Sequence, residues 1–152
     1  MSRFTRVAKI DPATHPLFDR IRNEMRFLDL DEDGIDDFLE IPGLKFVIFA
    51  DDPNVQKETL DIVVIGPEIR KCFASALAGA WLVDVMKGRA LAARWGVRKL
   101  PALALFRDEN FLGAAEGLDT WEGYLTKLAA IARRAEPPRR TISILSPRTE
   151  EA

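Results

Sequence analysis

Apolar and polar positions alternate along this chain in short blocks whose periods switch between those of helices and strands. From Pro12 to Arg26, Leu17, Ile21 and Met25 recur at a spacing of four with Phe18 beside them, which predicts a helix with one apolar stripe. Phe27 to Leu30 predicts a short strand and Asp31 to Gly34 a turn. Ile35 to Glu40 predicts a second helix with Ile35, Phe38 and Leu39 on its apolar side, stopped by Pro42-Gly43. Leu44 to Ala50 (LKFVIFA) is a nearly continuous apolar run, as in a strand buried on both faces of a central sheet. After a polar stretch from Asp51 to Asp61, Ile62 to Ile65 leads through Gly66-Pro67 into a helix carrying Ile69, Cys72, Phe73, Ala76 and Leu77. Pro67 suits its first turn, where a missing N–H costs nothing.

Ala80 to Val85 predicts the next strand, and Gly88 to Trp95 a short helix closed by Gly96. Ala102 to Phe106 and Phe111 to about Glu116, separated by the charged turn Arg107 to Asn110, predict a hairpin. Asp119, with Glu122 three residues on, opens a helix that shows Trp121, Tyr124, Leu125, Leu128 and Ala132 on one face. Pro137-Pro138 ends the pattern. Residues 1–135 are therefore expected to form one α/β domain, a central mixed sheet flanked by helices with an added N-terminal helix, and 136–152 a flexible tail rich in Pro and Arg.

Composition narrows the function. With 47% hydrophobic and 30% charged residues, the 152-residue chain fits one soluble globular domain and neither a disordered chain nor a coiled coil. A formal net charge of -2 gives no electrostatic reason to expect nucleic acid. Cys72 is the sole cysteine, which excludes an intramolecular disulfide, a CxxC motif and clustered thiolate ligands; no metal or other cofactor is expected. Cys72 occupies an apolar position of a predicted helix and reads as a core thiol. His15, the sole histidine, precedes Pro16 and suits a surface or capping role. The first residues lack a secretory pattern and no segment approaches the roughly 20 apolar residues of a membrane span, so a cytoplasmic protein is expected.

The order of elements, and above all LAARWGVRKLPALALFRDENFLGAAEG from Leu91 to Gly117, resembles the thioredoxins. Proline at the mouth of a central strand marks a special backbone turn, and Leu100-Pro101 is the candidate for a cis bond; the alternative is that Pro101 only shapes the hairpin entrance. The resemblance implies that the residue before this proline offers its backbone to an extended peptide by strand addition. It also lays Pro53-Asn54-Val55-Gln56 over the thioredoxin Cys-Gly-Pro-Cys. Both thiols are gone, and dithiol exchange is not expected.

Asp29, Asp31, Glu32, Asp33, Asp36, Asp37 and Glu40 form an acidic run without a base, and Asp51-Asp52 close the neighbouring strand. Such a face is either solvated or a surface for a basic partner. An added N-terminal helix, the missing CxxC, the IVVIGPEIRKCF segment and the WGVRKLPALALFRDENFLGAAEGLDTWEGYL block together make the chain similar to the HyaE/HupG family of hydrogenase expression and formation proteins, over roughly residues 12–134. That resemblance implies a non-enzymatic factor for a membrane-bound nickel-iron uptake hydrogenase, recognising the twin-arginine signal peptide of its small subunit before export. Asp51 and Asp52 beside Leu100 and Pro101 would then receive the guanidinium groups. Trp95 is a candidate either for lining that groove or for the core. Two alternatives stand beside this one: a thioredoxin-like scaffold contacting other hydrogenase accessory proteins, and a thiol enzyme using Cys72.

Overall fold

In the computed structural model, which describes residues 9–134, helices and strands alternate up to a last hairpin and helix. α1 (Pro16–Asn23) starts at His15, whose Nδ1 accepts the N–H of Leu17 at 3.1 Å, the capping role expected for it. β1 (Leu28–Leu30), α2 (Ile35–Glu40), β2 (Leu44–Phe49), α3 (Glu58–Lys71) and β3 (Leu77–Val83) follow. α4 (Gly88–Ala93), the hairpin β4 (Ala102–Arg107) and β5 (Asn110–Glu116), and α5 (Trp121–Arg133) complete the described chain. The boundary expected at residue 135 and the tail beyond it lie outside the described residues.

The strands form one sheet in the order β1-β3-β2-β4-β5. β1, β3 and β2 run parallel, and β4 and β5 are antiparallel. Successive side chains point to opposite faces, so the apolar run of β2 serves two cores. Phe46 and Ile48 meet Leu103, Leu105, Ala80 and Leu82 under α1, α3 and α5. Val47 and Phe49 meet Trp81, Val83, Ala104 and Phe106 under α2 and α4. A mixed sheet between two helical layers, with a β-α-β unit before a terminal hairpin and helix, is the thioredoxin-like arrangement.

β2 carries one polar exception. Lys45 is fully buried; its Nζ donates to the Phe38 carbonyl at 2.6 Å and lies 4.4 Å from the centre of the Phe38 ring. Burial lowers its pKa, against the weaker raising effect of Asp108 and Glu109.

α3 departs from expectation. It begins at Glu58, so Ile62 to Ile65 are helical and Pro67 lies inside the helix. Burial of Ile62, Val63, Gly66, Pro67 and Ile69 follows a helical period that the β-branched run conceals. The helix then stops at Lys71, a 3-10 turn covers Ala74–Ala76, and β3 begins at Leu77, earlier than the pattern suggests. Cys72 caps α3 and is exposed, so the core position expected for it is corrected: Ile69 supplies the buried side chain and the next turn aims Cys72 at solvent.

Candidate functional site

Parallel pairing brings the carboxyl ends of β1, β3 and β2 to one edge, because Leu30 pairs with Val83 and Ile48 with Leu82. The residues that leave those strands are Asp31, Asp84 and, after Ala50, Asp51 and Asp52. Carboxylates therefore collect where open α/β sheets form their crevices. The chain spends part of this charge on its own turns. Asp31 Oδ1 accepts the N–H of Gly34 (2.9 Å), and Asp84 Oδ1 that of Met86 (3.0 Å). Glu32 and Asp33 are on the same turn, and Asp36 and Asp37 occupy the first turn of α2, where the helix N-terminus favours acids.

The loop between β2 and α3 is held by side chains of the residues that stand in the vacated thiol segment. Pro53 is buried and Val55 is among the most exposed apolar residues. Asn54 pairs with the main chain of Ile10 in both directions, each bond 2.8 Å, and strings the N-terminal segment across the loop. Asp52 Oδ1 accepts from the backbone and side chain of Asn54, both at 2.9 Å. Asp51 is fixed twice: its Oδ1 accepts the N–H of Asp52 (2.8 Å), and its carbonyl accepts the hydroxyl of buried Thr59 (2.6 Å). Its other carboxylate oxygen takes Arg89 Nε at 3.0 Å.

Across from this loop, the Leu100-Pro101 bond is cis. The Leu100 side chain is buried in the α2/α4 core, while its carbonyl turns to the loop and accepts the side-chain amide of Gln56. Glu116 Oε1 accepts the N–H groups of Arg98 (3.0 Å) and Lys99 (2.8 Å), and Gly117 donates to the Pro101 carbonyl at 2.8 Å. Gly117 is itself tied to Tyr124, whose buried hydroxyl donates to its carbonyl at 3.0 Å and whose pKa is raised by that burial. The result is a groove with Leu100, Pro101 and exposed Leu118 for apolar contact and with Arg89, Arg98 and Lys99 along its walls.

Of the residues picked from sequence, Asp51, Gln56, Leu100 and Pro101 thus meet at one place. Trp95 backs the site from inside: its ring packs edge-on to Phe106 (centroids 5.1 Å) and tilted on Phe49 (5.9 Å), and it is not among the groove-lining residues. Cys72 ends α3 opposite Glu58, about 20 Å along the helix from the loop. Arg89, Glu116 and Asp84 were missed. No local signal joins Arg89 to Asp51, 38 residues away, and only the fold brings them together.

The model of the family described as "Hydrogenase-1 expression protein HyaE" matches residues 17–124, a span that holds both sides of this groove. The chain belongs to the HyaE family. It is 32% identical over 133 residues to the hydrogenase expression/formation protein HoxO of Azotobacter vinelandii, covering 88% of each chain. Against HupG of Rhodobacter capsulatus it is 30% identical over 119 residues, 78% of this chain and 86% of the relative. HoxO of Cupriavidus necator is 26% identical over 137 residues, 88% of this chain and 85% of that one. The family resemblance seen in the sequence is thus borne out, and the relatives' names support a role in hydrogenase maturation for this HyaE-family chain.

Proposed function

We propose that the chain is a non-catalytic cytoplasmic chaperone of hydrogenase maturation, which holds the twin-arginine signal peptide of a nickel-iron hydrogenase small subunit before export. The observation that carries this reading is the carbonyl of Leu100, turned toward a loop in which Pro53 and Gln56 stand in place of thiols and the Asp51 carboxylate lies close by. Strand addition there supplies affinity that does not depend on side chains, and Leu100, Pro101 and Leu118 receive the apolar segment. Without sulfur in the loop no mixed disulfide forms, so the bound peptide is held and released unchanged.

Charge gives the groove a direction. The strand-end side carries Asp51, paired with Arg89, and Glu58 at the start of α3, and the far wall carries Arg98 and Lys99. A peptide that is basic first and apolar afterwards lies with its arginines at the carboxylates and its apolar segment running along the wall past Pro101. Among the described residues no helix is long and apolar enough to cross a membrane.

The test is binding of a synthetic signal peptide of the small subunit to wild type and to Asp51→Lys/Asp52→Lys, with circular dichroism as the folding control. Loss of charge-assisted bonds is expected to weaken binding by roughly tenfold or more. Unchanged affinity in a folded variant moves the site elsewhere.

A further inference from the structure

The chain's own side chains already supply ligand-like groups at the groove's edge. Arg89 reaches three acceptors on two loops: Nε to Asp51 Oδ2 at 3.0 Å, one terminal nitrogen to the Arg98 carbonyl at 3.4 Å, and the other to Gln56 Oε1 at 3.5 Å. Gln56 in turn gives its amide N–H to the carbonyl of Leu100. Asp51, Arg89, Gln56 and Leu100 therefore form one continuous relay across the mouth of the groove.

We infer that this relay is an internal stand-in for the ligand: Arg89 holds the place of a ligand arginine on Asp51, and the Gln56 amide holds the place of a ligand backbone N–H on Leu100. The inference rests on the signal-peptide reading and gives it a recognition rule. Binding is an exchange, in which an incoming guanidinium displaces Arg89 and an incoming main-chain N–H displaces Gln56.

The unequal anchoring of the partners supports exchange. The Arg89 side chain is 58% exposed and free to swing into water, whereas Asp51 is only 18% exposed and pinned by Asp52 and Thr59. When Arg89 leaves, the carboxylate stays in position. An arginine-for-arginine exchange never leaves Asp51 unpaired, so the desolvation penalty of a bare carboxylate is avoided. The two steps are coupled because Gln56 Oε1 faces Arg89 while its N–H faces Leu100; moving either partner loosens the other. The acceptors lie in three directions around one planar group, which a guanidinium satisfies and an ammonium, a point charge, does not.

Two measurements on the full chain test this. The first titrates methylguanidinium and methylammonium into wild type and Arg89→Ala and follows thermal unfolding. Methylguanidinium is expected to raise the midpoint of Arg89→Ala selectively and to leave wild type unshifted; equal effects of the two cations on Arg89→Ala overturn the cradle. The second measures affinity for the synthetic twin-arginine peptide in wild type, Arg89→Ala, Arg89→Met and Gln56→Ala. Removing a competitor is expected to tighten binding several-fold in each folded variant, Arg89→Met being the version that keeps the apolar stem. Equal or weaker binding in these variants, with wild type binding normally, overturns the exchange. Selective methylguanidinium rescue with no peptide bound by any form overturns the signal-peptide reading instead, and with it the assignment of the ligand.

Discussion

Gly88 opens α4 against the carbonyl of Ala50, the last buried residue before the site loop, so closely that a Cβ built on Gly88 collides with that oxygen. This contact sets the start of α4 on the end of β2 and so places Arg89 beside Asp51. Gly88→Ala is expected to destabilise the fold by about 2 kcal/mol or more, because the neighbour is backbone and has no rotamer through which to yield. Urea unfolding measures it. A variant as stable as wild type shows that α4 is free to shift, and the Arg89–Asp51 pairing is then not imposed by packing.

Glu116 closes the other side of the groove by accepting two consecutive backbone N–H groups, from Arg98 and Lys99. These bonds define the approach to Leu100. Glu116→Ala is expected to cost about 1 kcal/mol of stability, since the site is exposed and water replaces part of the loss. Glu116→Gln keeps one acceptor oxygen and is expected to recover most of that loss, a comparison that denaturant midpoints resolve.

Lys45 gives the protein a pH signature. Its folded-state pKa lies below the ordinary lysine value because burial opposes the charge, so the unfolded chain binds the proton more tightly. Below the folded pKa the lysine costs stability by a constant amount. As pH rises through the folded pKa toward the ordinary value that cost is relieved. The Phe38 carbonyl also accepts the N–H of Ile41 at 3.2 Å, so removing Nζ does not orphan it. Lys45→Met is therefore expected to stabilise the protein by about 1 kcal/mol at neutral pH, with the advantage shrinking as pH rises. Chemical unfolding at neutral and alkaline pH checks both the sign and the trend.

Cys72 is exposed at the end of α3 and is expected to react with a thiol reagent stoichiometrically in the native state. Labelling is expected to leave peptide binding unchanged, because the thiol sits at the opposite end of α3 from the site loop. Labelling that requires denaturant contradicts the exposed position.

The fate of Cys72 shows where sequence reading reaches its limit. β2, the β4–β5 hairpin and α5 are legible because each has a local pattern: a two-faced apolar run, a charged turn between apolar strands, a helical stripe, although the cap of α5 is Thr120 and not Asp119. α3 hides its start because Ile62, Val63, Val64 and Ile65 carry strand propensity while tertiary packing makes them helical. Once the start and end of α3 are misplaced, the rotation that exposes Cys72 cannot be obtained. The site divides in the same way. Leu100-Pro101 announces its turn through proline chemistry, and Asp51 and Asp52 follow directly from the end of a readable strand. Arg89 and Gln56 reach their partners across 38 and 44 residues, so their roles exist only in the folded chain.

That a basic, apolar signal peptide lies along the Leu100-Pro101 groove is tested most directly by amide chemical-shift mapping of the labelled chain with unlabelled peptide. The expected result is a set of perturbations centred on Gln56, Arg89, Arg98, Lys99, Leu100, Gly117 and Leu118, with intermolecular contacts from the peptide backbone to Leu100. Perturbations confined to α2 and its acidic turn, or to α5, with the Leu100 amide and Gln56 side chain unmoved, contradict it.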